Sequence, residues 1–178
     1  MHAITIAARN YLPFARVLAR SFKQHNPNDT FVVLVVDAAP GEIHDEPDFE
    51  VAEPHDLSLD PEEFRRMAFL YNITELSTSL KPWALEMLLD RGADVAVYLD
   101  PDILVYSSLS EIEALSHRHG IVLTPHAATP MQRDGLRPTE ADIMGAGVYN
   151  LGFIAVGSGN RPMLQWWQER LRRDSISA

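Results

Sequence analysis

The sequence predicts an α/β domain built on a mostly parallel central sheet. Three observations carry this. Apolar runs at residues 2–8, 31–37 and 95–99 are short, rich in β-branched residues and bounded by turn chemistry. Such runs read as strands buried on both faces. Helical periodicity separates the first two, and a strand–helix–strand order implies a right-handed crossover between parallel strands. The length of 178 residues, with 46% hydrophobic and 22% charged residues, fits one domain with a sizeable core.

Taken in order, the first strand (2–8) is broken by Arg9-Asn10-Tyr11. Residues 12–25 carry Leu12, Phe14, Ala15, Val17, Leu18 and Phe22 at near-helical spacing, and Asn26-Pro27-Asn28-Asp29 ends that helix. The second strand, 31–37, closes on Asp37. Residues 38–53 read as loop with a short edge strand at 49–51. Asp60-Pro61-Glu62-Glu63 is a helix start with Asp60 as cap and Glu63 at the capping-box position. A further helix, capped by Thr74 and broken by Pro82, runs to Gly92 with Lys81 at the break. Ser110 and Glu113 form a Ser-x-x-Glu box opening a helix to 117, followed by a strand at 120–124. Residues 127–144 read as a loop with one helical turn near Glu140. A strand at 148–156, a last helix capped by Asn160 and ending near 172, and a tail at 174–178 complete the chain.

The formal charge of −10 argues against nonspecific nucleic-acid binding, which needs a basic face. With no cysteine, thiolate metal sites, disulfides and cysteine nucleophiles are excluded, and a reducing cytoplasmic location is the expectation. Residues 4–8 already read as a strand, so no signal peptide is expected. The longest apolar run, 31–36, is far too short to span a bilayer. Homo-oligomerisation is left open.

The chemistry concentrates at Asp100-Pro101-Asp102, at the exit of the buried run 95–99 and directly before Ile103-Leu104-Val105. Carboxylates are expensive beside buried strands unless a cation holds them. Open α/β sheets bind ligands outside the carboxyl ends of their strands, so the exits at Asn10 and Asp37 should share that edge. Hard oxygen ligands at this spacing suit Mg²⁺ or Mn²⁺ bridging a diphosphate. An Asp-Pro-Asp turn is the bland alternative. Lys81 is a surface lysine or faces a phosphate, and His126 is structural or meets a substrate at a strand exit. Asn150 and Gly152 lie within an apolar strand, where they mark a bulge or a close approach of ligand or backbone. Trp166 and Trp167 read as core packing, with one ring exposed.

Ser79-Leu80-Lys81-Pro82-Trp83, Val97 to Val105, and Tyr149-Asn150-Leu151-Gly152-Phe153 together resemble the Lys-containing helix, the D-x-D strand and the Asn-x-Gly strand of nucleotide-sugar-dependent glycosyltransferases of the GT-A type, in particular the glycogenin-like family 8 enzymes. The resemblance implies a three-layer Rossmann-like fold and transfer of a sugar from a nucleoside-diphosphate sugar, with a UDP-sugar favoured, to an acceptor. It implies that Asp100 and Asp102 hold Mn²⁺ or Mg²⁺ against the diphosphate, with Asp100 also sharing a ribose hydroxyl. It places Ala8, Asn10 and Asp37 at the base and ribose, and Lys81 at the phosphate or sugar. Asn150 and Gly152 would border the sugar or acceptor, and the anomeric configuration would be retained.

The family usually supplies a third metal ligand, a His, from well beyond the Asn-x-Gly strand, whereas no His follows His126 here. The expectation is a single nucleotide-sugar-binding domain over 1–178 that lacks the acceptor-side segment. Two other readings compete. A haloacid-dehalogenase-like phosphohydrolase also places D-x-D after an apolar strand, but near the start of its domain. A noncatalytic nucleotide-binding or partner-binding fragment would expose apolar surface around Trp166 and Trp167.

Overall fold

The strands β1 (His2–Ala7), β2 (Thr30–Val35), β3 (Glu50–Ala52), β4 (Val95–Leu99), β5 (Ile121–Pro125) and β6 (Tyr149–Gly157) form one sheet in the order β3-β2-β1-β4-β6-β5. The computed structural model describes residues 1–132 and 134–172, so the expected tail at 174–178 lies outside the described residues. Strands β3, β2, β1 and β4 pair in parallel, and β6 runs antiparallel to both β4 and β5. The sheet is therefore mostly parallel, as the sequence predicts.

Alternation along the central strands sorts their side chains into two cores. Ile4, Ile6, Val32, Leu34 and Tyr98 join one core with Met67, Leu76, Trp83, Leu85, Leu88 and Leu164. Those partners come from α2 (Pro61–Leu70), α3 (Ile73–Ser79), α4 (Lys81–Asp90) and α7 (Arg161–Leu171). Ala3, Phe31, Val33, Val35 and Val97 join the other core with Leu18, Ala19 and Phe22 of α1 (Leu12–His25), flanked by Ile112 of α5 (Ser110–His119). Helices thus cover both sheet faces, giving three layers.

Several local expectations change. The helix assigned a Thr74 cap starts at Asn72, whose side chain accepts from the backbone N–H of Thr74 and Glu75 while Glu75 closes a capping box. The expected break into a short and a longer helix, with Lys81 at the break, is present. The first piece ends at Ser79 with Leu80 as its C-cap, and Pro82 sits in the first turn of α4, where its missing N–H costs nothing. Lys81 thereby becomes the first residue of a new helix. Asn72→Ala should cost about 1 kcal/mol, which is a fall of about 2–4 °C in the thermal midpoint followed by circular dichroism.

Asp60 caps α2 as expected, through Glu62 and Glu63 N–H, but Glu63 pairs with Arg66 and Arg172 instead of closing a box. The Ser110 box does not form: Leu109 is the cap of α5, and the Glu113 carboxylate holds the amino group of Met1 at 3.0 Å. Asn160 is the N-cap residue of α7 as expected, but its side chain makes no capping hydrogen bond and its amide donates to the Gly157 carbonyl instead. The helical turn near Glu140 extends to α6 (Glu140–Ala146), boxed by Thr139 and Asp142.

The strand read as exiting at Asp100 does so: β4 stops at Leu99, the last residue paired with β6. Asp100-Pro101-Asp102 then turns, with the Ile103 N–H donating to the Asp100 carbonyl at 3.1 Å. Beyond the turn, Val105 is buried and its N–H goes to the Ser21 hydroxyl at 3.1 Å rather than to a ladder. Likewise the second strand ends at Val35, and Asp37 lies exposed beyond it.

Candidate functional site

A cleft of about 330 Å³ opens at the carboxyl ends of β1 and β4, the edge where such sheets take ligands. One wall is the end of β1 and the turn after it, with Ala8, Asn10 and Tyr11. The opposite wall is α3, which presents Ile73, Thr74, Ser77 and Thr78. The floor and lip are Lys81, Tyr98, Asp100, Pro101 and Asp102.

Backbone pairing dictates this convergence. β1 pairs with β4 from His2 opposite Ala96 to Ile4 opposite Tyr98, so their exits lie side by side. Ala8 opens a short 3₁₀ turn at Arg9–Tyr11, in which the Tyr11 N–H donates to the Ala8 carbonyl at 2.8 Å. Asp37 does not line the cleft. Its carboxylate accepts from the Arg9 N–H at 2.8 Å and so braces the turn that carries Asn10 from behind.

The strongest polar cluster centres on Asp100. Its Oδ1 accepts from the Tyr98 hydroxyl at 2.7 Å and from the Lys81 ammonium at 3.2 Å. Lys81 also donates to the Leu151 carbonyl at 2.9 Å and lies 4.3 Å from the centre of the Tyr98 ring. Lys81 is 4% exposed and Tyr98 1%. Such an ammonium is tolerable because an anion, a carbonyl and an aromatic face surround it. Burial pushes the Lys81 ammonium below the ordinary lysine range, while Asp100 opposes that shift. Burial, and then the charge of Asp100, push the Tyr98 hydroxyl well above its ordinary range. Tyr98 therefore stays protonated and acts as a donor.

Gly152 closes the other side of the carboxylate. Its carbonyl accepts from the Asp100 N–H at 2.8 Å. A Cβ on Gly152 would stand 3.0 Å from Asp100 Oδ2 and 2.9 Å from Asn150 Oδ1. The close approach expected at this strand glycine is thus to Asp100. Asn150 is exposed rather than buried, outside the cleft lining, and its side-chain oxygen accepts from the Gly152 N–H at 2.7 Å. The bulge expected here is present, since the β5–β6 register shifts between Leu123 and Thr124.

Asp102 contrasts with Asp100. It is exposed at the lip and has no hydrogen bond or ion pair among the described residues. Among those residues no group of three His, Cys, Asp or Glu side chains could hold a metal ion. The donor set nevertheless fits Mg²⁺ or Mn²⁺, which are commonly held by one or two carboxylates with substrate phosphates and water completing the shell. Asp102 and Asp100 Oδ2 are hard oxygen donors of that kind. His126 is not with them: it is exposed, and its ring Nδ1 meets the Gly147 carbonyl at 2.8 Å.

Tyr98 and the hydroxyls of α3 were not legible as site residues, although both carry a signal. Tyr98 stands two positions before Asp100, on the same strand face as it. Thr74, Ser77 and Thr78 follow i, i+3, i+4 spacing just before Lys81 and so share one helix face. The Ser77 hydroxyl already donates to the Ile73 carbonyl at 2.7 Å. Of the two tryptophans, Trp167 packs against the core and Trp166 is 59% exposed, with Arg170 beside its ring.

No protein-family model matches the sequence, and no curated protein matches it. Solved structures do share the fold. The galactosyltransferase LgtC, crystallised with donor and acceptor sugar analogues, aligns at TM-score 0.62 and 19% identity, over 100% of this chain and 67% of LgtC. Mouse xyloside xylosyltransferase 1 in its apo form aligns at 0.54 and 12%, over 96% of this chain and 71% of its own. The glycosyltransferase GlyE of Streptococcus pneumoniae TIGR4 aligns at 0.52 and 16%, over 97% of this chain and 36% of GlyE. This chain thus spans about two thirds of LgtC and about one third of GlyE. With its three layers and its sheet reversed at β6, the chain has the GT-A type fold of these glycosyltransferases.

Proposed function

We propose that the chain is the donor-binding part of a metal-dependent glycosyltransferase that moves a sugar from a nucleoside-diphosphate sugar, with a UDP-sugar favoured, to an acceptor. One observation carries the reading: an anchored carboxylate, Asp100, and an unpartnered one, Asp102, share the lip of a cleft at the carboxyl edge of this fold.

In this reading Asp100 and Asp102 hold Mn²⁺ or Mg²⁺. The cation supplies charge neutralisation for the departing nucleoside diphosphate. Ala8 and Asn10 line the base and ribose, and Asp37 keeps their turn in place. Lys81 puts a desolvated positive charge beneath the diphosphate, where low dielectric strengthens it. Asn150 and Gly152 border the sugar or the acceptor. Transfer breaks the bond between the anomeric carbon and the diphosphate oxygen. The diphosphate leaves with the bonding electron pair, the acceptor oxygen bonds to the anomeric carbon, and the acceptor's proton passes to the departing diphosphate or to solvent.

Calorimetry with UDP and with GDP, each with Mn²⁺ and with a chelator, tests this. The expected result is UDP binding that requires the cation. Nucleotide affinity unchanged by chelation would remove the metal from the reading. A vanadate-sensitive phosphatase activity without UDP binding would replace it with phosphohydrolysis.

A further inference from the structure

Asp100 is not held as a bare carboxylate would be. A side chain with free rotation about Cβ–Cγ presents either oxygen, or both, to a ligand. Here Oδ1 carries two donors, the Tyr98 hydroxyl at 2.7 Å and the Lys81 ammonium at 3.2 Å. Oδ2 carries no hydrogen bond among the described residues and lies beside the bare Cα of Gly152. The donors themselves have little freedom. Tyr98 lies in β4 and is paired on both sides, to Ile4 of β1 and to Ile154 of β6. Lys81 is buried and anchored a second time on the Leu151 carbonyl, in the strand that carries Gly152.

We propose that Tyr98, working with Lys81, is a positioning residue for the donor site: the two clamp Oδ1 of Asp100, so that the carboxylate offers Oδ2 alone in a fixed direction. The proposal rests on the reading of Asp100 as a cation ligand and assigns Tyr98 a role that the D-x-D motif does not contain. Ordering one oxygen before binding removes an orientational cost that the cation–diphosphate complex would otherwise bear. It also gives Lys81 a task inside the protein. Its hydrogen bonds are committed to Asp100 and a backbone carbonyl, so beyond its through-space charge it acts on the donor through the carboxylate.

The test is a double-mutant cycle on cation binding, which needs no acceptor and no turnover. Mn²⁺ binding is measured by electron paramagnetic resonance, alone and with UDP, for the unmodified protein, Tyr98→Phe, Asp100→Asn and the double variant, with thermal unfolding recorded for each. The expected result is a roughly five- to tenfold weaker Mn²⁺–UDP affinity in Tyr98→Phe and no further loss when Tyr98→Phe is added to Asp100→Asn. Unchanged affinity in Tyr98→Phe overturns the clamp. Equal, additive losses on both backgrounds also overturn it, because they would show a general effect of the core hydroxyl rather than one exerted through Asp100. If Tyr98→Phe does not fold, Lys81→Met, which removes the other donor to the same oxygen, takes its place in the cycle with the same expected pattern. Failure of the unmodified protein to bind Mn²⁺ would sink the cation reading and the clamp together, whereas retained binding with an inert clamp sinks the clamp alone.

Discussion

Asp102→Asn is expected to abolish cation-dependent nucleotide binding while leaving the fold as stable as before. The two halves of this expectation have separate causes. Asp102 is exposed and makes no hydrogen bond or ion pair among the described residues, so its charge supports nothing in the protein. Surface changes of that kind fall within about 0.5 kcal/mol, which is about 1–2 °C in the midpoint for a chain of this size. An amide of the same shape keeps the turn but replaces a hard anionic donor with a weak neutral one. Under the proposed reading one of the two protein ligands to the cation is lost, because a hard dication is held far more weakly by a neutral amide oxygen than by a carboxylate. Asp100→Asn should behave differently. It removes the partner of a buried ammonium and a buried hydroxyl, so binding and stability fall together, by about 1–3 kcal/mol for the latter. Thermal unfolding beside UDP titration with Mn²⁺ separates the two variants. Full Mn²⁺-dependent binding by Asp102→Asn would end the assignment of Asp102 as a metal ligand.

That contrast shows what the sequence reveals and what it hides. The apolar runs, the strand–helix–strand order and Asp-Pro-Asp at a strand exit are local patterns, and each keeps its meaning in the fold. Hence the parallel sheet, the carboxyl-edge cleft and the pair of carboxylates were all legible. What was not legible depends on partners distant in the chain. Asp100 is anchored by Lys81, nineteen positions earlier, which in turn reaches Leu151, seventy positions on. Caps failed for the same reason: Glu113 had a better partner in the amino group of Met1 than in its own helix start. Asn150 read as a buried polar group within an apolar strand, yet the first residues of β6 are exposed and Asn150 satisfies its neighbour's N–H instead.

The largest effect expected away from the carboxylates themselves is that of one methyl group at Gly152. The backbone there is not in the left-handed region, so alanine meets no torsional penalty and the outcome depends on space alone. The added Cβ would lie 2.9 Å from Asn150 Oδ1 and 3.0 Å from Asp100 Oδ2. Asn150 is exposed and can swing away at the cost of its hydrogen bond to the Gly152 N–H. Asp100 has no such exit, since moving its carboxylate strains the contacts of Oδ1 to Tyr98 and Lys81. Overpacking of this kind costs about 1–3 kcal/mol. Gly152→Ala should therefore lower stability by about 1 kcal/mol, at the gentler end because one neighbour yields. It should weaken Mn²⁺-dependent UDP binding by about tenfold, the equivalent of about 1.4 kcal/mol. The double variant Asn150→Ala/Gly152→Ala assigns the cause. If crowding of Asp100 governs binding, removing the Asn150 side chain recovers stability but not affinity. Full recovery of both would place the conflict at Asn150 and leave Asp100 undisturbed by its neighbour.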